Sequence, residues 1–169
     1  MADLNPESMQ YAWVVIGCGN PARADDGAGI EVIQRLARTN LASRPDLRLI
    51  DAGTSGMDIL YQTRGAQRVI IVDASHSGSE PGAVFHAPAI ELSTPIQPAF
   101  TLHALRWDHA LYAASQIHGR DFLRNIEVFL IEAESLDFSF ELSPAAERGV
   151  TRVVAEIQQL LNPVEIRPT

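Results

Sequence analysis

Asp26, Asp73 and His103 each carry lone pairs suited to a divalent cation, and each falls beside the apparent end of a buried strand or the start of a helix. In an open α/β sheet the carboxyl ends of the strands line one crevice, so residues distant in sequence can meet there around one ion. Asp51 occupies the equivalent place on the second strand. Each acid also has a plain structural reading. Asp25 fits a helix N-cap, and Asp26 the acid that a helix dipole favours in the first turn. Asp73 closes the apolar run Val69 to Val72, where a carboxylate is costly unless paired, metal-bound or used to turn the next loop. His103 stands at a helix start, where the positive end of the dipole keeps imidazole neutral, as a ligand must be. His76 and His86 lie in or beside loops and His109 and His118 later on the same helix, positions that suit solvated or core roles. Oxygen and nitrogen donors of this kind suit Zn²⁺ or Ni²⁺ better than Cu⁺ or an iron–sulfur cluster. The zinc motif His-Glu-x-x-His is absent from the sequence.

Other chemistries find less support. Gly17-x-Gly19-x-x-Ala22 matches a relaxed dinucleotide fingerprint, but Pro21 removes an amide and Asp25 and Asp26 place negative charge where a pyrophosphate would bind. All 13 basic residues are arginine, so a P-loop ammonium and a Schiff-base lysine are both excluded. Gly53-Thr54-Ser55-Gly56-Met57 is not a Gly-x-Ser-x-Gly elbow, and Cys18 is a lone thiol with nothing adjacent in sequence to activate it. A formal net charge of −8 argues against a general nucleic-acid or acidic-membrane binder. The chain shows neither a signal peptide nor an apolar run long enough to span a bilayer, and its single cysteine fits a reducing compartment. These features point to a cytoplasmic protein.

The elements that must position these residues alternate in type. Tyr11 to Gly17, Arg48 to Ala52, Arg68 to Ala74 and Glu127 to Ala133 read as strands, with Ala83 to Ala87 a short edge strand. The continuous β-branched run Val69-Ile70-Ile71-Val72 is typical of a parallel strand covered on both faces. Helices are expected over Asp25 to Ser43, Met57 to Arg64, Leu102 to His118 and Pro144 to Leu161, the last capped by Ser143 with Pro144 at its first position. Pro88 to Thr101 holds too many breakers for a long element, although Ala89 to Leu92 suits one turn of helix. At 169 residues and 46% hydrophobic content the chain fits a single domain. The expected architecture is a three-layer α/β/α sandwich on a mainly parallel twisted sheet. Its domain spans 11–162, between an N-terminal tail over 1–10 and a C-terminal tail over 163–169.

In order and spacing, these segments resemble the hydrogenase maturation endopeptidases. The resemblance runs from Val14 to Leu161 through Gly17-Cys18-Gly19-Asn20-Pro21, Asp25-Asp26-Gly27 and Gly29, and Asp51-Ala52-Gly53-Thr54-Ser55-Gly56-Met57. It continues through Ile70-Ile71-Val72-Asp73-Ala74, Pro81-Gly82, Leu102-His103, Glu132-Ala133-Glu134-Ser135-Leu136 and Leu142-Ser143-Pro144. The resemblance implies an aspartyl-type peptidase that trims the C-terminal extension from a NiFe hydrogenase large-subunit precursor after nickel insertion. It carries the metal contacts onto Asp26, Asp73 and His103, the functional aspartate of the second strand onto Asp51, and substrate contacts onto Gly53, Thr54 and Gly56. The nickel would be that of the precursor, with Zn²⁺ or another divalent ion able to take its place. Asp51 would be a general base or a residue that orients another. Asp26 stands where some members carry Glu, and Thr101 where Ser is common. Phe138-Ser139-Phe140-Glu141 is bulkier than the family's glycine-containing stretch, which leaves open the shape of the partner surface and the hydrogenase served. Two rival readings are a nickel-binding assembly factor that does not cut and, with less support, a nucleotide-binding oxidoreductase built on the glycine turn.

Overall fold

A computed structural model of the protein describes residues 11–63, 65–92 and 107–162. Five strands form one sheet: β1 (Tyr11–Cys18), β2 (Leu47–Gly53), β3 (Ala66–Ser75), β4 (Val84–Pro88) and β5 (Ile126–Glu132). Their order is β2-β1-β3-β5-β4. The first four in that row run parallel, and β4 closes one edge antiparallel to β5. Among the described residues five α-helices accompany them: α1 (Ala28–Ala37), α2 (Gly56–Gln62), the single turn α3 (Ala89–Leu92), α4 (Trp107–His118) and α5 (Pro144–Leu161).

Strand periodicity explains the three layers. Side chains alternate across a strand, so Val15, Ile70, Val72, Phe129 and Ile131 face one side. There they pack with Val32, Ile33 and Leu36 of α1 and Val150, Val153 and Ile157 of α5. Their neighbours Val14, Ile16, Val69, Ile71 and Val128 face the other side, against Ile59 of α2 and Trp107 and Leu111 of α4. The central strands β1 and β3 are therefore apolar on both faces, as their uninterrupted hydrophobic runs require.

The closing helix begins as expected: the Ser143 Oγ accepts from the Ala146 N–H at 3.1 Å, and Pro144 sits in the first turn. The first helix is shorter than its apolar pattern predicts. Ala24–Gly27 forms a 3₁₀ turn, α1 covers only Ala28–Ala37, and a second 3₁₀ turn spans Asn40–Ser43. Thr39 causes the interruption. Its hydroxyl donates to the Leu36 carbonyl at 2.7 Å and accepts from the Leu41 N–H at 3.3 Å, while its backbone turns extended. A short polar side chain bonding its own backbone competes in this way with continued helix. Of the expected helix 102–118, residues 102–106 lie outside the described residues, as do both tails. Among the described residues no helix is long and apolar enough to cross a membrane.

Candidate active site

Strand order fixes where a site can form. The chain leaves β1 toward β2 on one side, and leaves β3 toward β5 and β4 on the other. The two diverging connections open a crevice at the carboxyl ends of β1 and β3. Three glycines let the chain pack tightly there. A Cβ on Gly29 would lie 2.3 Å from the Cys18 carbonyl oxygen and 2.4 Å from that of Val72, so α1 starts in backbone contact with both strands. A Cβ on Gly17 would in turn meet the Gly29 carbonyl at 2.3 Å. Gly19 has φ +125°, and a Cβ there would fall 1.7 Å from the Asp26 carbonyl oxygen. Only glycine allows that turn, and the turn lays the Asp26 backbone over the end of β1.

The result is a cleft of about 220 Å³ whose walls include Asp26, Asp73, Cys18, Arg23, Gly53, Thr54, Gly56 and Trp107. Asp26 and Asp73, 47 positions apart in sequence, thus share one cavity, together with all three glycine-turn residues expected to contact substrate. Asp26 is half-buried, and its Oδ2 accepts from the Asn20 N–H at 3.1 Å. Asp73 is 8% exposed; its Oδ1 accepts from the Ala74 N–H at 2.8 Å and its Oδ2 from the Trp107 indole N–H at 2.7 Å. Both bonds hold the Asp73 carboxylate in a fixed orientation. His103 lies outside the described residues, and among the described residues no three His, Cys, Asp or Glu side chains converge as a metal-holding group.

Asp51 is exposed at the end of β2 and is not among the residues lining the cleft. Its Oδ1 accepts from the Gly53 N–H at 2.9 Å, which shapes the turn carrying Gly53 and Thr54. That turn is drawn against β1 by a bulge, with Gly17 opposite Asp51 and Cys18 opposite Gly53, and by the Gly19 N–H donating to the Gly53 carbonyl at 2.9 Å. Cys18, an isolated thiol in the sequence, is a buried part of the cleft wall.

Asp25 is not a helix cap. It is fully buried, and its Oδ1 accepts from the Ser143 N–H at 2.6 Å. Its Oδ2 accepts from the Ser143 hydroxyl at 2.8 Å, the Glu134 N–H at 2.8 Å and the Ser135 N–H at 3.2 Å. The carboxylate next to Asp26 therefore ties the site loop to the β5–α5 connection. Local sequence carries no trace of this, because the partners stand 109–118 positions away. Trp107 is equally unmarked in the sequence; a buried tryptophan needs an acceptor for its N–H, and the fold supplies the Asp73 carboxylate.

A second hollow, of about 290 Å³, adjoins the first and shares Asp26 and Trp107 with it; Ala74, Ser75, His76, Ser77, Leu130 and Leu136 complete its wall. Glu132, which is 1% exposed, holds two residues of that wall, Ser75 and Ser77, by hydrogen bonds. Burial alone would raise the Glu132 pKa. Hydrogen bonds from the Ser75 and Ser77 hydroxyls and the Ser77 and Gly78 N–H groups outweigh it and hold this carboxyl below its ordinary value.

Residues 30–160 match the model of the HycI hydrogenase maturation protease family. The chain belongs to that family. It is accordingly a peptidase. Asp51, Asp73 and His103 fall inside the matched span and Asp26 just before it. The chain is 28% identical over 149 residues to the hydrogenase expression/formation protein HupD of Rhodobacter capsulatus, covering 85% of this chain and 68% of that protein. In structure it is similar to the NiFe hydrogenase maturation protease HybD from Thermococcus kodakarensis, with a TM-score of 0.66 and 25% identity over 90% of this chain and 99% of that one. The hydrogenase maturating endopeptidase HybD from E. coli has the same fold, with a TM-score of 0.70 at 22% identity over 90% of this chain and 92% of that one. The single-domain, mainly parallel α/β architecture expected from the sequence is that of these proteases.

Proposed function

We propose that this protease removes the C-terminal extension of a NiFe hydrogenase large-subunit precursor once nickel has been inserted, and that it recognises the precursor-borne nickel through Asp26, Asp73 and His103. The observation that carries the reading is the meeting of the Asp26 and Asp73 carboxylates in one cleft at the switch point between β1 and β3. Two acidic oxygens suit a divalent ion of borderline hardness, and one imidazole nitrogen completes a donor set open enough to share that ion with a partner. Zn²⁺ or another divalent ion would be taken by the same donors.

The precursor chain would lie along the two joined hollows, against Gly53, Thr54 and Gly56 on one side of Asp26 and toward Ser75 and Leu136 on the other. Asp73 is oriented for this by Trp107, and Asp26 by the Asn20 amide. That amide is therefore already engaged by a carboxylate, which weighs against a phosphate-binding glycine turn. Asp51 acts either as the base that takes a proton from water or through the Gly53 turn that it holds.

The test is the mass of a purified, nickel-loaded large-subunit precursor before and after incubation with the protein. Loss of the C-terminal extension is expected. His103→Ala should weaken both precursor binding and processing, the latter by roughly 10–100-fold. Asp51→Asn should spare most binding while slowing cleavage. Full processing by both variants would remove the site assignment, and binding of precursor by the wild type without any cleavage would favour a non-cutting assembly factor.

A further inference from the structure

Phe138 and Phe140 are 80% and 75% exposed, more than any other large hydrophobic side chain among the described residues. Single exposed apolar residues scattered over a surface are ordinary. These two form a pair: their rings meet edge to face at 5.4 Å between centroids. The contact places the two rings together on one side of the segment, with Ser139 between them in sequence.

The segment that displays them is held to the site. Ser139, between the two rings, forms a parallel bridge with Arg23. The Ala24 N–H donates to the Ser139 carbonyl at 2.8 Å, the Ser139 N–H to the Ala22 carbonyl at 3.2 Å, and the Arg23 Nε–H to the Leu136 carbonyl at 3.3 Å. Arg23 and Asp26 line the cleft, and Leu136 lines the adjoining hollow. The ring pair is therefore mounted on the rim of the peptide path by backbone bonds. Asp25 anchors the same connection at Ser135 and Ser143.

We propose that Phe138 and Phe140 form a docking tip that seats in an apolar pocket, rimmed by basic side chains, on the folded body of the hydrogenase large-subunit precursor. The inference rests on the reading of the substrate given above. A precursor whose tail threads the two hollows must lay its body against the rim, and the tip is part of that rim. Exposed Asp137 and Glu141 flank the rings, which sets the basic character of the partner's pocket. Area separates this partner from a second copy of the chain. The two rings offer roughly 300 Å² between them, well short of the ~800 Å² per partner that a stable independent interface needs. That is too little to hold a dimer, and it suits an anchor for a partner that the cleft also grips. Rigid aromatic side chains on a fixed mount lose little entropy on docking, as such an anchor requires.

The test compares the wild type with the double variant F138S/F140S on the purified, full-length, nickel-loaded precursor. Initial rates are followed by the mass of the processed subunit, and binding by biolayer interferometry. The double variant is expected to melt within a degree or so of the wild type, because the rings are exposed. Its KM should rise about 10-fold or more and its precursor affinity fall in parallel, while kcat changes less than about 2-fold. F138L/F140L should recover most of the loss. Unchanged KM and affinity in a stably folded double variant would overturn the inference. So would a wild-type dimer in analytical ultracentrifugation that the double variant dissociates without change in KM, since the tip would then belong to a second copy. If the serine variant proves unstable, the single variants F138S and F140S decide, each expected to raise KM about 3-fold. A wild type that binds the precursor and leaves it whole would remove the reading of the substrate reaction, while the binding ratio would still decide on the tip.

Discussion

Replacing Asp25 by Asn keeps the shape of the side chain and removes its capacity to accept hydrogen bonds on both arms. In the native protein Oδ1 accepts one peptide N–H, that of Ser143 at 2.6 Å. Oδ2 accepts the Glu134 and Ser135 N–H groups and the Ser143 hydroxyl, at 2.8, 3.2 and 2.8 Å. An amide has one acceptor oxygen and one donor NH₂. The less costly orientation puts NH₂ in the place of Oδ1, so that it faces the Ser143 N–H. Two donors are then left without acceptors around a residue that is fully buried.

Each unmet buried donor costs about 1–3 kcal/mol, and removing the buried charge returns part of that. The net loss should be about 2–4 kcal/mol, which for a domain of this size lowers Tm by roughly 5–15 °C. Thermal unfolding at neutral pH measures it, with denaturant titration as a check. Hydrogen exchange should accelerate first at the amide of Ser143, which loses its acceptor, and then at those of Glu134 and Ser135 as the connection loosens. An Asp25→Asn protein that melts within a degree of the wild type, with those amides still protected, would refute the view that this carboxylate locks the site loop to the β5–α5 connection.

Gly19→Ala should cost most of the processing activity, because the new Cβ would fall 1.7 Å from the Asp26 carbonyl oxygen at a φ of +125° and must push Asp26 aside; initial rates on nickel-loaded precursor test this, and native rates would refute it. Glu132→Gln should destabilise the protein at neutral pH, and the deficit should shrink as pH falls. A carboxyl held below its ordinary value contributes stability that is fully present above the unfolded-state value of about 4.3 and is lost as pH falls through the lower native one. Denaturant unfolding of both proteins from pH 7 down to pH 3 checks the sign. Trp107→Phe removes the indole donor to Asp73 and should lower stability by about 1–2 kcal/mol, with weaker binding of Ni²⁺ in isothermal calorimetry.

The layers were readable because their cause is local. A run such as Val69-Ile70-Ile71-Val72 is typical of a strand covered on both faces, and the structure buries all four. The position of Asp26 and Asp73 followed from the rule that strand ends share a crevice, which needs only the order of elements. The extent of α1 did not follow, because its apolar stripe continues to Leu41 while Thr39 diverts the backbone through its own hydroxyl. The role of Asp25 was hidden for a different reason: an acid just before a helix is what a cap looks like, and its four donors come from a segment more than a hundred positions away. The bulk of Phe138 and Phe140 was visible in the sequence, but their exposure, mutual contact and attachment to Arg23 were not.

Asp25, Asp26, Asp73 and Glu132 look alike in the sequence, and the structure divides them by burial and by how many fixed donors surround them. Asp25 and Glu132 are 0% and 1% exposed, and between them they accept from the backbone or hydroxyls of Ser75, Ser77, Gly78, Ser79, Glu134, Ser135 and Ser143. A carboxylate surrounded by that many fixed donors is held as part of the scaffold and has little capacity left for a ligand. Asp26 differs: it is half-buried, it lines both hollows, and among the described residues only its Oδ2 accepts a hydrogen bond, from Asn20. The two saturated acids fix the loops on either side of the cleft, and Asp26 and Asp73 line the cleft itself. Mutating the first pair should therefore appear in unfolding curves before it appears in metal affinity, and mutating the second pair in the reverse order.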